Sequence, residues 1–331
     1  MNSGWTRKSS PFHAGEQEVQ ARVGVRSKIE KVGRRMVRDY LVEQHREFYR
    51  LLPCLIVGTV DTQGHPWVSL LAGRPGFITS PDAYHLKIAA QPIFGSPIVS
   101  QWHAGIDIGI LGILPKTRRR NRVTGRIIAA DDDGMSVEVA QSFGNCPQYI
   151  QTREIEILSD ISTPQQRRQI EQGDRLDKKA ETLITQSDTF FIATAYSTPS
   201  DESKMHSQET NPVFGADVSH RGGKPGFIRV DNHKTLTFPD FAGNLIFNTI
   251  GNILMNPKTG LLFIDFQTRD LLYLTGSAEV IWEGEEVESF FGAERLIRCE
   301  IESWRRVGCS LPLQFEFGEY SPSLHMTGCW K

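Results

Sequence analysis

A twelve-residue phrase occurs twice in this chain. Trp67–Ile78 reads WVSLLAGRPGFI and Asp217–Ile228 reads DVSHRGGKPGFI; at a constant offset of 150 residues, seven of the twelve positions are identical. That spacing is far longer than the period of a solenoid or propeller array, so the repeat marks two copies of one domain rather than a stack of small units. The order of elements repeats with it. Cys54–Val60 (CLIVGTV) and Thr189–Tyr196 (TFFIATAY) are each an apolar strand that follows a helical stretch and precedes a turn and a second strand. Ile108–Ile113 matches Leu261–Phe266, with Gly109 over Gly260, and Asn121–Ile128 matches Leu271–Ile281, with Gly125 over Gly276.

The chain has 331 residues, enough for about two domains that each bury a core. The division read from the repeat is a polar, turn-rich and irregular arm over 1–26, a first copy over 27–160 and a second over 161–331. Ser27 and Glu30 form a capping-box pattern that predicts one helix running to Leu52, where Pro53 ends it. Six or so short strands follow, including a hairpin around the acidic turn Asp131–Gly134, and strands at this spacing predict a β-barrel rather than a parallel sheet. Thr163–Gln166 predicts a second helix start, with proline at the first helical position. Ser197–Gly215 is a polar loop that the first copy lacks. In the second copy, Phe227–Asn256 reads strand, tight turn, strand and a short helix with one polar face. Val287–Trp304 is expected to be helical, and Leu313–Phe317 alternates as a last strand.

The formal net charge is −2, which gives no overall attraction to nucleic acid or an anionic membrane surface. No apolar run reaches the roughly 18 residues of a spanning helix, and the first residues hold no apolar signal core. The five cysteines are widely spaced with no CxxC pair, so neither a zinc site nor a disulfide framework is indicated. The default compartment is the cytoplasm. GxSxG, HExxH and GxGxxG are all absent, which removes the usual sequence marks of a hydrolytic triad, a zincin or a resident dinucleotide.

GKPGFI (Gly223–Ile228), FPDFAGN (Phe238–Asn244), NTIGNILMNP (Asn248–Pro257) and TGSAEV (Thr275–Val280), with TRRRNRVTG (Thr117–Gly125) and FGNCPQYIQ (Phe143–Gln151) in the first half, carry a resemblance. Through them the chain resembles the pyridoxamine 5′-phosphate oxidase-like superfamily of FMN-binding split β-barrels, and within it the tandem two-barrel proteins. The resemblance implies a mainly β fold with flanking helices (α+β), in which two tandem split β-barrels form an intramolecular pseudo-dimer with FMN in the groove between them.

The second copy has the better-equipped groove. Asn244, Asn248, Thr249 and Asn252 are spaced to share one helix face, and a helix N-terminus offers free N–H groups to a phosphate. A capped amphipathic helix with that face in water is the plainer reading of the same pattern. Superfamily enzymes usually carry a lysine or arginine near this helix start; here Phe247-Asn248-Thr249 stands instead. The cation must come from the lead-in strand (His220, Arg221, Lys224, Arg229) or from Arg118–Arg122 across the groove. Alternation puts Arg120 and Arg122 on the same side of a strand. A basic strand edge that deters aggregation is the competing reading of that run. Ser219 and Gly222 sit where backbone would approach a flavin closely, and Phe238 and Asp240 complete the set that the resemblance suggests. The first copy has Leu70-Leu71-Ala72 at the positions of His220-Arg221-Gly222 and is expected to be the structural partner.

The expectation for function is an FMN-dependent oxidoreductase acting on a small-molecule substrate, with NAD(P)H or a reductase as electron donor. No nucleic-acid or membrane partner is expected, and a homodimer is compatible with the reading. A non-catalytic flavin- or haem-binding carrier or sensor is the alternative.

Overall fold

The computed structural model describes residues 4–158, 169–197 and 212–330. The helix start expected at Thr163–Gln166 and most of the loop expected over 197–215 lie outside the described residues. Helices α1 (Ala14–Arg22), α2 (Arg26–Met36) and α3 (Glu43–Arg50) come first. The first sheet follows as β1 (Cys54–Val60), β2 (Pro66–Ala72), β3 (Ile78–Thr79), β4 (His85–Ile88), β5 (Asp107–Leu114), β6 (Arg119–Asp131) and β7 (Gly134–Asn145). Then come β8 (Arg153–Ile157), β9 (Ile170–Gly173) and α4 (Lys178–Gln186). The second sheet is built from β10 (Thr189–Tyr196), β11 (Gly215–Gly222), β12 (Arg229–Asn232), β13 (Thr235–Phe241), β14 (Lys258–Ile264), β15 (Leu271–Ile281) and β16 (Ala293–Val307), with α5 (Asn248–Met255) after β13 and α6 (Glu285–Glu288) before β16. The last strand, β17 (Leu313–Phe317), pairs with β8.

The protein is mainly β with flanking helices. The strand order is β2-β1-β5-β6-β7-β4-β3 in the first sheet and β11-β10-β14-β15-β16-β13-β12 in the second, with β9 added beside β16. These are the same order, strand for strand, and every pair is antiparallel. The registers copy as well. Gly109 faces Thr124 and Gly260 faces Thr275. Both copies slip register next to a glycine, at Thr124/Gly125 and at Thr275/Gly276. A Cβ at either glycine would run into a carbonyl oxygen of the facing strand, Glu138 or Glu300, so only glycine fits the bulge.

Each sheet wraps around its own core: Leu55, Val57, Ile108, Ile110 and Val123 in the first, Phe190, Ile192, Phe238, Phe263 and Ile297 in the second. The alternate residues of the same strands, Cys54, Ile56, Leu111, Phe191, Ala193 and Leu262, form a third core between the two sheets. That is why β1 and β10 read as continuous apolar runs: both faces are buried. The copies meet through reciprocal contacts. Gly109 of β5 lies against the backbone of Asp217 in β11, and Gly260 of β14 against the backbone of Pro66 and Trp67 in β2. Trp67 and Asp217 are the opening positions of the duplicated phrase, so the contact follows an approximate two-fold axis.

Three expectations are corrected. The arm over 1–26 is not irregular: it contains α1, capped at His13 by a reciprocal pair with Glu16. The single helix over 27–52 is two. Residue Ser27 caps neither; α2 begins after Val25, and the chain turns extended at Val37. There Arg38 pairs with Ser142 of β7 and Leu41 is buried, a sheet contact that a continuous helix would forfeit. Val287–Trp304 is largely the strand β16. Ile297, Cys299 and Ile301 point into the second core at period two, with Arg298, Glu300 and Glu302 between them.

Candidate anion-binding cleft

Strand β6 of the first copy and β11 of the second run side by side across the inter-copy boundary. Alternation sends Arg120 and Arg122 to one side of β6, and Asp217, Ser219 and Arg221 to one side of β11. Arg122 is nearly fully buried and uses its whole fork. Nη2 donates to Asp217 Oδ2 and to Ser219 Oγ (2.9 Å), Nε to the Val218 carbonyl (3.1 Å) and Nη1 to Asn248 Oδ1 (2.9 Å). One side chain therefore ties the first copy to a strand and a helix of the second.

Among the described residues Arg120 has no carboxylate partner. Nε donates to the Cys146 carbonyl (2.7 Å), Nη2 faces the Cys146 thiol (3.6 Å) and Nη1 lies 3.4 Å from His220 Nδ1. Arg221 pairs with Asp240, which also accepts from Arg295, and the Arg221 Nε is buried without a partner among the described residues. The imidazole of His220 is held neutral: burial drives its pKa well below 6.5, and Arg120, Arg153 and Arg221 push the same way. Burial pushes the Asp217 carboxyl up, against the pull of Arg122 and Arg221. Four guanidinium groups (Arg120, Arg122, Arg221, Arg295) thus gather around three carboxylates (Asp217, Asp240, Glu294), and among the described residues Arg120 is the one left without a carboxylate.

The opposite wall is the start of α5. Its N-cap residue, Phe247, is left-handed (φ 68°) and supplies no side-chain cap; Leu245 two residues earlier is left-handed as well (φ 63°). Two non-glycine residues in this region within three positions store backbone strain, which is commonest where a ligand or a switch is held. The uncapped first turn points its amide N–H groups, with the positive end of the helix dipole, at the arginines. Asn244 stands before the helix, bonded to Asn145 (3.1 Å) and to the Ile246 amide. Tyr149, itself left-handed (φ 63°), closes one side, with its ring 5.1 Å from that of Phe241 and its hydroxyl on the Ala242 carbonyl. The cleft is open to solvent on one side, and its cavity volume of about 110 Å³ is several times the roughly 10–15 Å³ that a single water requires, so a phosphate group has room.

Of the residues singled out from sequence, Ser219, Arg221, Gly222, Asp240, Asn244, Asn248, Thr249, Arg120 and Arg122 line this cleft together. Three do not. Phe238 is fully buried in the second core, stacked edge-on against Phe190. Lys224 reaches away to the Thr327 carbonyl (2.8 Å). Asn252 turns inward from α5 and bonds Thr194 (3.0 Å) and His13 (2.8 Å), so the four polar residues do not share one exposed face. The sequence alone does not mark Asn145, Cys146, Gln148 and Tyr149 as lining residues, although all four stand in FGNCPQYIQ; Asn145 faces Arg120 directly in the β6–β7 register. It also passed over Glu16, which lies buried beneath the start of α5.

The pseudo-symmetric groove is different. By ladder register, Leu271 and Tyr273 occupy the positions of Arg120 and Arg122. Trp67 and Leu71 stand for Asp217 and Arg221. A cation, Arg305, stands at the register of Phe143 and donates to the Gly95 carbonyl. Among the described residues no cluster of His, Cys, Asp and Glu could hold a metal, and no helix is long and apolar enough to cross a membrane.

No protein-family model matches the chain, and no curated protein does. Solved structures similar to it include HupZ from Group A Streptococcus (16% identity over 38% of this chain and 90% of that one, TM-score 0.29). A proposed pyridoxamine 5′-phosphate oxidase from Lactobacillus delbrueckii is similar at 13% identity over 40% and 94% (TM-score 0.30). A FAD-binding protein from Mesorhizobium loti is similar at 11% over 42% and 97% (TM-score 0.24).

Proposed function

We propose that this protein binds FMN by its phosphate in the cleft between β6, β11 and the start of α5, and that it is an oxidoreductase acting on a small molecule. The observation that carries the reading is the Arg120 guanidinium, which lies beside the cleft with no carboxylate partner among the described residues, while the uncapped first turn of α5 faces it. Burying a cation without a counter-ion is costly, and an arriving phosphate would repay it with bidentate hydrogen bonds. The orphaned Arg221 Nε fits the same group as a further donor. Bound FMN would supply the electron chemistry. The chain's own residues do the holding: Arg120, Arg221 and the α5 amides take the anion, Arg122 keeps β6, β11 and α5 in place, and Tyr149 with Phe241 shields one flank from water.

Fluorescence titration with FMN and with riboflavin, which lacks the phosphate, tests this. FMN should bind at least tenfold more tightly, and Arg120→Gln should erase most of the difference while leaving riboflavin unchanged. Equal affinity for the two ligands refutes the site. Bleaching of the bound flavin by NAD(P)H, or by a reductase, tests the oxidoreductase assignment separately.

A further inference from the structure

Beneath the start of α5 lies a carboxyl group that the cleft's cations do not touch. Helices α1 and α5 cross at Gly15 and Gly251, where a Cβ on either would strike the other backbone. The crossing brings Glu16 to the underside of α5 with 2% of its surface exposed. One carboxyl oxygen accepts from the His13 amide (2.8 Å) and the other from Asn248 Nδ2. Asn248 Oδ1 in turn accepts from Arg122 Nη1, and Arg122 reaches Asp217. The order is carboxyl, amide, guanidinium, carboxyl: two buried acids flank one arginine, Asp217 directly and Glu16 only through the Asn248 amide.

The groups around Glu16 leave it without a counter-ion. From its own helix, the His13 ring stands 3.6 Å away, but its Nδ1 accepts from the Gly15 amide and its Nε2 is spent on Asn252, a neutral arrangement. Burial keeps that imidazole neutral down to about pH 4. From α5 only Asn248 faces it; from β11 comes Asp217, a like charge; from β6 comes Arg122, already shared. Burial outweighs the two hydrogen bonds and lifts Glu16 to about 8, so its charge is balanced near physiological pH.

We propose that Glu16 is a proton site linked to the ligand cleft, so that an anion binds with Glu16 protonated and is weakened when Glu16 ionises. This rests on the anion-binding reading above. An anion on the far side of Asn248 and Arg122 adds negative charge to a buried cluster that already holds Asp217. Ionised Glu16 competes for the same guanidinium and costs more once the anion is there. Linkage then runs both ways: the anion draws a proton onto Glu16, and a proton on Glu16 favours the anion. The N-terminal helix is thereby part of the binding site and not a mere strap over it.

The experiment is isothermal titration of full-length protein with FMN, and with inorganic phosphate, at pH 7, 8 and 9 in two buffers of different ionisation heat. Wild type should take up a fraction of a proton per ligand near pH 8, and FMN affinity should fall roughly tenfold from pH 7 to 9, within the usual range for coupled sites. Glu16→Gln should bind without proton uptake and with a flat profile over that range. Absence of uptake in wild type overturns the linkage whatever the variant does, and so does uptake that persists in a folded Glu16→Gln. If neither ligand binds wild type at any pH, the anion-binding reading falls and the linkage with it; binding without linkage leaves that reading standing.

Discussion

Replacing Gly109 with alanine puts one methyl group into the contact between the two copies. The new Cβ would lie 2.7 Å from Asp217 Cα and 2.8 Å from the Val218 nitrogen. Comfortable contact needs about 3.5 Å or more, so β5 and β11 must separate by roughly 0.8 Å. Both partners are backbone within ladders, so no rotamer can turn aside. The cost belongs at the upper end of the overpacking range, about 2–3 kcal/mol. An unfolding entropy of about 2.1 cal/mol/K per residue over 331 residues is about 0.7 kcal/mol/K, so the melting temperature should fall by about 3–4 °C. Gly260→Ala, aimed at the Pro66 carbonyl and at Trp67 Cα, should cost a similar amount. Gly144→Ala is the control: it is also a strand glycine, with no atom within 4 Å of the added methyl, and should be neutral or slightly stabilising. The two damaging substitutions differ in a second readout. Gly109→Ala displaces β11 beside Asp217 and should weaken FMN binding; Gly260→Ala acts at the pseudo-symmetric end and should not. Scanning calorimetry with an FMN titration reads both. If Gly109→Ala melts within about 1 °C of Gly144→Ala, the two copies do not pack through β5 and β11, and the cleft between them is misplaced.

Glu16→Gln should also change how stability depends on pH. Folding raises the Glu16 pKa from 4.5 to about 8, so the folded protein holds a proton there that the unfolded chain has released; the stabilisation is complete below pH 4.5 and is lost as pH climbs toward 8. At about 1.4 kcal/mol per unit, the wild type should forfeit on the order of 5 kcal/mol across that window from this group, and the glutamine variant should not; parallel curves in chemical denaturation against pH would refute it. Arg122→Ala leaves Asp217 buried beside no direct cation and should cost about 3–5 kcal/mol, with Asp217→Asn in the same chain recovering part of it; additive losses by denaturant titration would show the pair to be uncoupled. Phe190→Ala opens the second core among Phe227, Phe238 and Phe263 and should cost about 3–5 kcal/mol, read as a shift in the denaturation midpoint without loss of the first sheet's protection from hydrogen exchange.

Much of the fold is legible in the sequence because the duplicated glycines are structural necessities. Gly125 and Gly276 sit at matching bulges, and Gly109 and Gly260 at reciprocal contacts between the copies, so aligning the glycines aligns the ladders. Helical periodicity misled in two places for opposite reasons. At Val287–Trp304 the charged residues from Arg295 to Glu302, two or three positions apart, fit a helix as well as a strand, and only pairing with β13 and β15 decides it. At Ala14–Arg22 the helix has no apolar stripe to find. It buries a glycine, a glutamate, a valine and a glutamine against the underside of α5, and only Val19 of these joins the second core.

The site shows where local reading stops. That arginines and a helix start converge is what the resemblance implies, beside the open readings of a basic strand edge and a solvated helix face; which arginine is taken up and which is not is legible in neither. Arg120 and Arg122 sit two apart on one strand face with the same chemistry, yet Arg122 is consumed by Asp217, Ser219, Val218 and Asn248, all from the other copy, while Arg120 finds only the Cys146 loop and a neutral histidine. The difference is set by residues about a hundred positions away. The same reasoning accounts for the single cleft. A duplicated fold begins with two equivalent grooves, and the register fixes which side chains face each other in both. Leu271 and Tyr273 in place of Arg120 and Arg122 remove the cations, and Trp67 and Leu71 in place of Asp217 and Arg221 remove their partners. A cation lost without its partner would strand a buried charge, so these changes are physically coupled. A chain carrying Tyr273→Arg alone should therefore be destabilised, and only Tyr273→Arg with Trp67→Asp should approach wild-type stability.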